Sequence, residues 1–109
     1  MSQITTHVLD TALGRPAEGI PVTLFDGEKE VGRGITNADG RVTDLVPEGT
    51  SMMAGTYHIR FETDAYLEQT ASGNFYPYVE ITFRINEQSS HYHVPLLLSP
   101  FGYSTYRGS

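Results

Sequence analysis

Apolar and polar residues alternate in short runs along the whole chain. In Thr56-Tyr57-His58-Ile59-Arg60-Phe61-Glu62, Tyr57, Ile59 and Phe61 share one face and the polar residues take the other, the pattern of a half-buried strand. Val79 to Ile85 repeats it, with Val79, Ile81, Phe83 and Ile85 facing inward. Less regular strands are expected over Ile4 to Leu9, Pro21 to Phe25 and Val31 to Ile35. The last is followed by Thr36-Asn37-Ala38-Asp39-Gly40, a turn built on Asx and Gly backbone preferences, after which Arg41 starts a new extended segment. Two further strands are expected at His91 to Leu98 and Gly102 to Arg107, joined by Ser99-Pro100-Phe101. Pro95 has no N–H for a ladder and must lie at a bulge or where pairing lapses. Only Asp64 to Gln69 reads as helix, with Thr63 or Asp64 available to cap its first turn. Many short strands and one short helix imply an all-β sandwich or barrel.

The chain has 109 residues, enough for one domain and one core, and the reading is a single domain over 1–109. Thirteen acidic against seven basic side chains give a net charge of −6, which disfavours nucleic acid as a partner. The longest apolar run is Val94-Pro95-Leu96-Leu97-Leu98, far short of the roughly 20 residues that span a bilayer, so no membrane association is expected. Met1 to His7 lacks the basic and apolar regions of a secretory leader, which gives a cytoplasmic expectation; a periplasmic protein whose leader had been removed would read the same way. There is no cysteine, which removes thiol nucleophiles and Cys-based metal sites.

Phosphate loops, His-Glu-x-x-His and nucleophile elbows are absent, and histidine placement carries the remaining chemistry. His7, His91 and His93 lie in strands near opposite ends of the chain. His91 and His93, two apart, project from one face, but with no third ligand a metal site is a weaker reading than two half-exposed strand histidines. His58 belongs to the solvent face of its strand. Six of the seven cations are Arg, whose planar fork suits carboxylates and oxygen-rich rings. Composition alone explains the bias, but Arg41, after its turn, and Arg107, near the chain end, are distinctive by position. Tyr76 and Tyr78 can serve a protein-binding surface or be ordinary surface tyrosines, the latter being the commoner case.

Thr5-Thr6-His7-Val8-Leu9-Asp10 with Gly14-Arg15-Pro16-Ala17, Asn37-Ala38-Asp39-Gly40-Arg41-Val42, His91-Tyr92-His93-Val94-Pro95-Leu96-Leu97-Leu98-Ser99-Pro100 and the closing Tyr103-Ser104-Thr105-Tyr106-Arg107-Gly108-Ser109 together resemble the 5-hydroxyisourate hydrolases, or transthyretin-like proteins, from end to end. The terminal Tyr-Arg-Gly-Ser is the feature that separates these hydrolases from transthyretin. The resemblance implies a transthyretin-like sandwich of two four-stranded sheets, about eight strands in all, with one short helix, assembled as a homotetramer with sites at subunit interfaces. It implies cofactor-free, metal-free hydrolysis of 5-hydroxyisourate to 2-oxo-4-hydroxy-4-carboxy-5-ureidoimidazoline in urate degradation. By motif, the catalytic positions fall on His7, Arg41 and His93, and the substrate-binding positions on His7, Arg41, Tyr106, Arg107 and Ser109. His91 matches a position that the family does not place centrally. The competing reading is a transthyretin-like carrier of a small aromatic ligand in the tetramer channel.

Overall fold

Where the sequence alternates, the chain is extended. The computed structural model describes residues 3–70, 73–88 and 90–108. In chain order the strands are β1 (Ile4–Asp10), β2 (Arg15–Pro16), β3 (Pro21–Asp26), β4 (Lys29–Ile35), β5 (Arg41–Val42) and β6 (Gly55–Phe61). The helix α1 (Asp64–Gln69) follows, then β7 (Val79–Ile85), β8 (Tyr92–Ser99) and β9 (Gly102–Thr105).

Two sheets face each other. One runs β4-β3-β6-β7; the other runs β2-β1-β8-β9, with β5 also paired to β1. The second sheet therefore has five strands where four were expected. The cause is the length of β1: its Thr6 and His7 pair with Val42 and Arg41, and farther along Leu9 and Asp10 pair with Pro16 and Arg15. One edge thus accommodates two short strands end to end. The two-residue β2 carries no alternation of its own, which is why the sequence did not reveal it.

The inward faces supply the core. Val8, Leu24, Ile59, Phe61 and Leu96 are fully buried, each contributing about 1.5–3 kcal/mol relative to an exposed side chain. Tyr57, Val79, Ile81 and Ile85 are buried as the alternation requires, while Phe83 is half-buried at the margin. Asp10 is buried but satisfied: it accepts the backbone N–H groups of Ala12 and Leu13 at 3.0 and 2.9 Å and the hydroxyl of Tyr66 at 2.7 Å, which ties α1 to the end of β1. The Tyr66 hydroxyl is consequently pushed up to about 12, by burial first and by its bond to Asp10 second.

The helix begins and ends as expected, but its cap differs. Thr63 occupies the N-cap position in a helical rather than extended conformation, so its hydroxyl is not aimed at the first-turn N–H groups and makes no cap bond. Asp64 lies inside the first turn and accepts a hydrogen bond from Asn74 at 2.7 Å.

Two backbone features position the outer face of the five-stranded sheet. First, β1 and β8 pair in parallel, Thr5 beside His93 and His7 beside Pro95, which brings residues from the two ends of the sequence into one register. Second, Pro95 sits within β8 without a bulge toward β1, and its missing donor falls on the β9 side. The β8–β9 ladder stops at Leu96 opposite Thr105 and resumes as a single bridge between His93 and Gly108. Tyr106 and Arg107 span the gap, and the Thr105 hydroxyl donates to the Pro95 carbonyl at 2.7 Å. Pairing lapses where the proline requires it to.

Candidate functional site

The outer face of the five-stranded sheet collects the chemistry-bearing residues. On β1, Ile4, Thr6 and Val8 point into the core, so Thr5, His7 and Leu9 point outward. In-register neighbours share a face, which places His93, Pro95 and Leu97 of β8 beside them and Arg41 of β5 directly beside His7.

The turn before β5 delivers Arg41. The Asn37 side-chain oxygen accepts the N–H of Asp39 at 2.9 Å and that of Arg41 at 3.0 Å, closing an Asx turn. Gly40 takes φ 75° and donates to the Asn37 carbonyl at 2.8 Å, while its own carbonyl accepts the Val8 N–H at 2.7 Å. A side chain at 40 would require the disfavoured left-handed backbone and would collide with the Val8 carbonyl. Glycine there is what lets the turn press Arg41 against His7. Among the described residues no carboxylate forms an ion pair with Arg41, so its fork is not neutralised by a salt bridge within them.

His93 is held along both edges of its ring. Its Nδ1 lies 2.8 Å from the Thr5 hydroxyl, and the same hydroxyl lies 3.0 Å from Nε2 of His91. Gly108 donates its N–H to the His93 carbonyl at 2.8 Å and lays its Cα against the opposite edge of the imidazole. A Cβ at 108 would overlap His93 Cδ2 and stand 3.1 Å from Cγ. The Nε2–Cε1 end remains to face outward. Gly108→Ala is accordingly expected to lower kcat about tenfold by rotating the ring while leaving the fold intact, because the tail is outside the core; steady-state kinetics beside a thermal melt checks both halves.

Burial and the Arg41 charge disfavour the charged form of both imidazoles. Burial lowers the pKa of His7 below the ordinary histidine value, and the Arg41 charge lowers it further, against an opposing hydrogen bond to the Asp39 backbone. Burial also lowers that of His93, followed by the charges of Arg41, His7 and His91, against a hydrogen bond to the Thr5 backbone. Arg41 thus acts on both His7 and His93.

The remaining sequence candidates distribute unevenly. Arg107 turns away from this face and places its guanidinium 4.5 Å from the centre of the Tyr92 ring, beside a cavity of about 320 Å³ that opens between β7 and β9. Tyr106 is exposed, and Ser109 lies outside the described residues. His58, expected on a solvent face, stacks on Phe25 with ring centres 4.9 Å apart. Tyr78 lies under Arg60, whose guanidinium is 3.6 Å from the ring centre, and Tyr76 packs edge-to-face against Phe75 and Tyr103. Both tyrosines have partners within the chain. Among the described residues no group of three His, Asp or Glu side chains is placed to hold a metal. Gly108 belongs to the closing motif that the resemblance marks as functional, whereas Thr5 was not singled out as a site residue from the sequence; it was findable, since it lies two residues from His7 and period-two alternation puts both on one face.

Residues 4–108 match the model of the HIUase/Transthyretin family. The protein named 5-hydroxyisourate hydrolase 2 from Rhizobium meliloti is 46% identical, the match covering 98% of this chain and 96% of that protein. The solved structure of 5-hydroxyisourate hydrolase from Klebsiella pneumoniae superposes with a TM-score of 0.86 at 35% identity, covering 97% of this chain and 98% of that one. Sea bream transthyretin, solved with thyroxine, superposes with a TM-score of 0.87 at 29% identity over 98% of this chain and 95% of the other.

Proposed function

We propose, from the premise that this chain belongs to the HIUase/Transthyretin family, that the face carrying His7, Arg41 and His93 is where it opens the ring of 5-hydroxyisourate. The activity is hydrolysis of that compound, in line with the names of its relatives in a fission yeast, a bacterium and the mouse. The observation that carries the assignment of the face is the convergence of two neutral imidazoles and a guanidinium, from β1, β8 and β5, on one side of a single sheet.

The reaction needs three things: a base for water, positive charge for the oxyanion, and a proton for the departing nitrogen. One histidine takes a proton from water as the hydroxide adds to a ring carbonyl carbon. Arg41 pairs in register with His7 and its charge acts on both rings, and its fork is the group suited to the oxygen on which negative charge develops. When the carbon–nitrogen bond breaks, the nitrogen takes a proton, and His7 and His93 share these two transfers. The product is 2-oxo-4-hydroxy-4-carboxy-5-ureidoimidazoline. No cofactor enters this scheme. Tyr106, Arg107 and Ser109 belong to the proposal as substrate contacts, with Arg107 required to swing from its stack on Tyr92.

The same proposal includes a homotetramer and a cytoplasmic setting. Support for assembly comes from Leu9 and Leu97, which lie half-buried on the same outward face as the histidines, an apolar surround that a second copy would cover. No helix among the described residues is long and apolar enough to cross a membrane. A carrier role fits this face less well, since a hydrophobic ligand gains nothing from two imidazoles and a guanidinium at its binding surface. The test is ultraviolet decay of freshly generated 5-hydroxyisourate with and without the purified protein, together with sedimentation. The expected outcome is catalysed decay by a species of four chains; decay at the spontaneous rate would remove the activity, and an active monomer would remove the interface.

A further inference from the structure

Thr5 is buried, yet its hydroxyl touches two imidazole nitrogens, Nδ1 of His93 at 2.8 Å and Nε2 of His91 at 3.0 Å. A hydroxyl has one proton to donate. It can therefore donate to only one ring, and any hydrogen bond with the other must be one in which that ring supplies the N–H. The three groups form a chain whose direction fixes both tautomers. If His93 donates from Nδ1 and Thr5 passes its own proton toward His91, His93 is left with a bare Nε2 on its outward end. The reverse direction leaves His93 protonated there and unable to take a proton from water.

The chemistry assigned to this face selects the first direction, because only that direction leaves His93 a nitrogen able to take a proton from water. Gly108 covers the Cδ2 edge and offers the ring no competing polar atom from a side chain. The charged and titratable groups near His93 are His7 of β1, Arg41 of β5 and His91 immediately before β8. His91 is exposed, and its other nitrogen can hold its proton against solvent.

We propose that Thr5 is a positioning residue that locks His93 in the Nδ1–H tautomer, with His91 as the terminal acceptor, so that His93 Nε2 is the base that takes the proton from water. This rests on the assignment of His93 to the hydrolytic site, and it says which ring acts first in the proton work that the site alone leaves shared: His93 takes the proton from water and, as the imidazolium, holds the proton that the leaving nitrogen needs.

The test reads the tautomer directly. Long-range proton–nitrogen correlation spectra of the intact protein are expected to show His93 protonated at Nδ1 and bare at Nε2, with His91 bare at Nε2. Thr5→Val keeps the β-branched shape and removes the hydroxyl; it is expected to give mixed His93 tautomers and to lower kcat roughly tenfold with KM little changed, the equivalent of one net hydrogen bond. Loss of an acceptor disfavours the imidazolium, so the acid limb of the kcat profile is expected to move down by about half a pH unit. Thr5→Ser is expected to restore tautomer, rate and limb. His91→Gln, whose amide oxygen accepts, is expected to keep the His93 tautomer, and His91→Leu to mix it. Wild-type His93 protonated at Nε2, or a Thr5→Val protein with unchanged tautomer, rate and limb, would overturn the proposal. Near-normal turnover in His93→Asn would instead overturn the reading on which it rests, and the spectra judge the Thr5 lock separately.

Discussion

His93→Asn is expected to lower kcat by about two to four orders of magnitude, the range a positioned acid–base group contributes, while the fold and its assembly survive. Asparagine suits the test because its amide is short, polar and able to meet the Thr5 hydroxyl, which lies 2.8 Å from Nδ1 in the native chain. What it lacks is a nitrogen that accepts a proton near neutrality. Since His93 packs against Gly108 and Thr5 rather than in the apolar core, little stability depends on its ring. Its ordinary pKa is lowered by burial and by Arg41, so the wild-type acid limb is expected below pH about 6.5, with activity present above the folded-state pKa and lost as pH falls through it. In the variant the residual rate should lose the part of that limb due to His93. Turnover within a factor of two of wild type, measured by ultraviolet decay against the spontaneous background, would take His93 out of the reaction.

The strands were legible where one face is core and the other solvent. Val79 to Ile85 was bounded correctly because every second side chain is apolar, and Asp64 to Gln69 because its composition favours helix between two strands. The short β2 escaped because two residues carry no period, and β5 was legible only as an extended segment after the turn at residues 37–40; both exist as strands because β1 offers them an edge. For the site, residue types and the family resemblance named His7, Arg41 and His93, but their meeting depends on the parallel β1–β8 register, a pairing of residues nearly the whole chain apart. No local pattern encodes that. Nor does any local pattern encode the stack of Arg107 on Tyr92, which follows from the lapse in pairing that Pro95 imposes on the tail. Gly108 was visible as part of a motif; its reason, contact with an imidazole, was not.

Arg41 separates two contributions that a single substitution would confuse, its charge and its planar fork. Its charge lowers the pKa of both His7 and His93, and its fork is the group we propose for the developing oxyanion. Arg41→Gln removes both. The expected loss in kcat is about 10²–10³-fold, the scale of an oxyanion donor, and the acid limb is expected to move to higher pH because two histidines are relieved of a neighbouring positive charge. Arg41→Lys keeps a cation near both rings but replaces the fork with a point charge. Its limb is expected to stay near the wild-type position while kcat still falls, by roughly tenfold or more. The backbone that delivers residue 41 is unaffected in either variant, since its N–H bond to Asn37 and the Gly40 turn involve no guanidinium atom. A glutamine variant whose limb stays put would show that Arg41 does not set the charge state of the two bases, and a lysine variant with full kcat would show that the fork is not what meets the oxyanion.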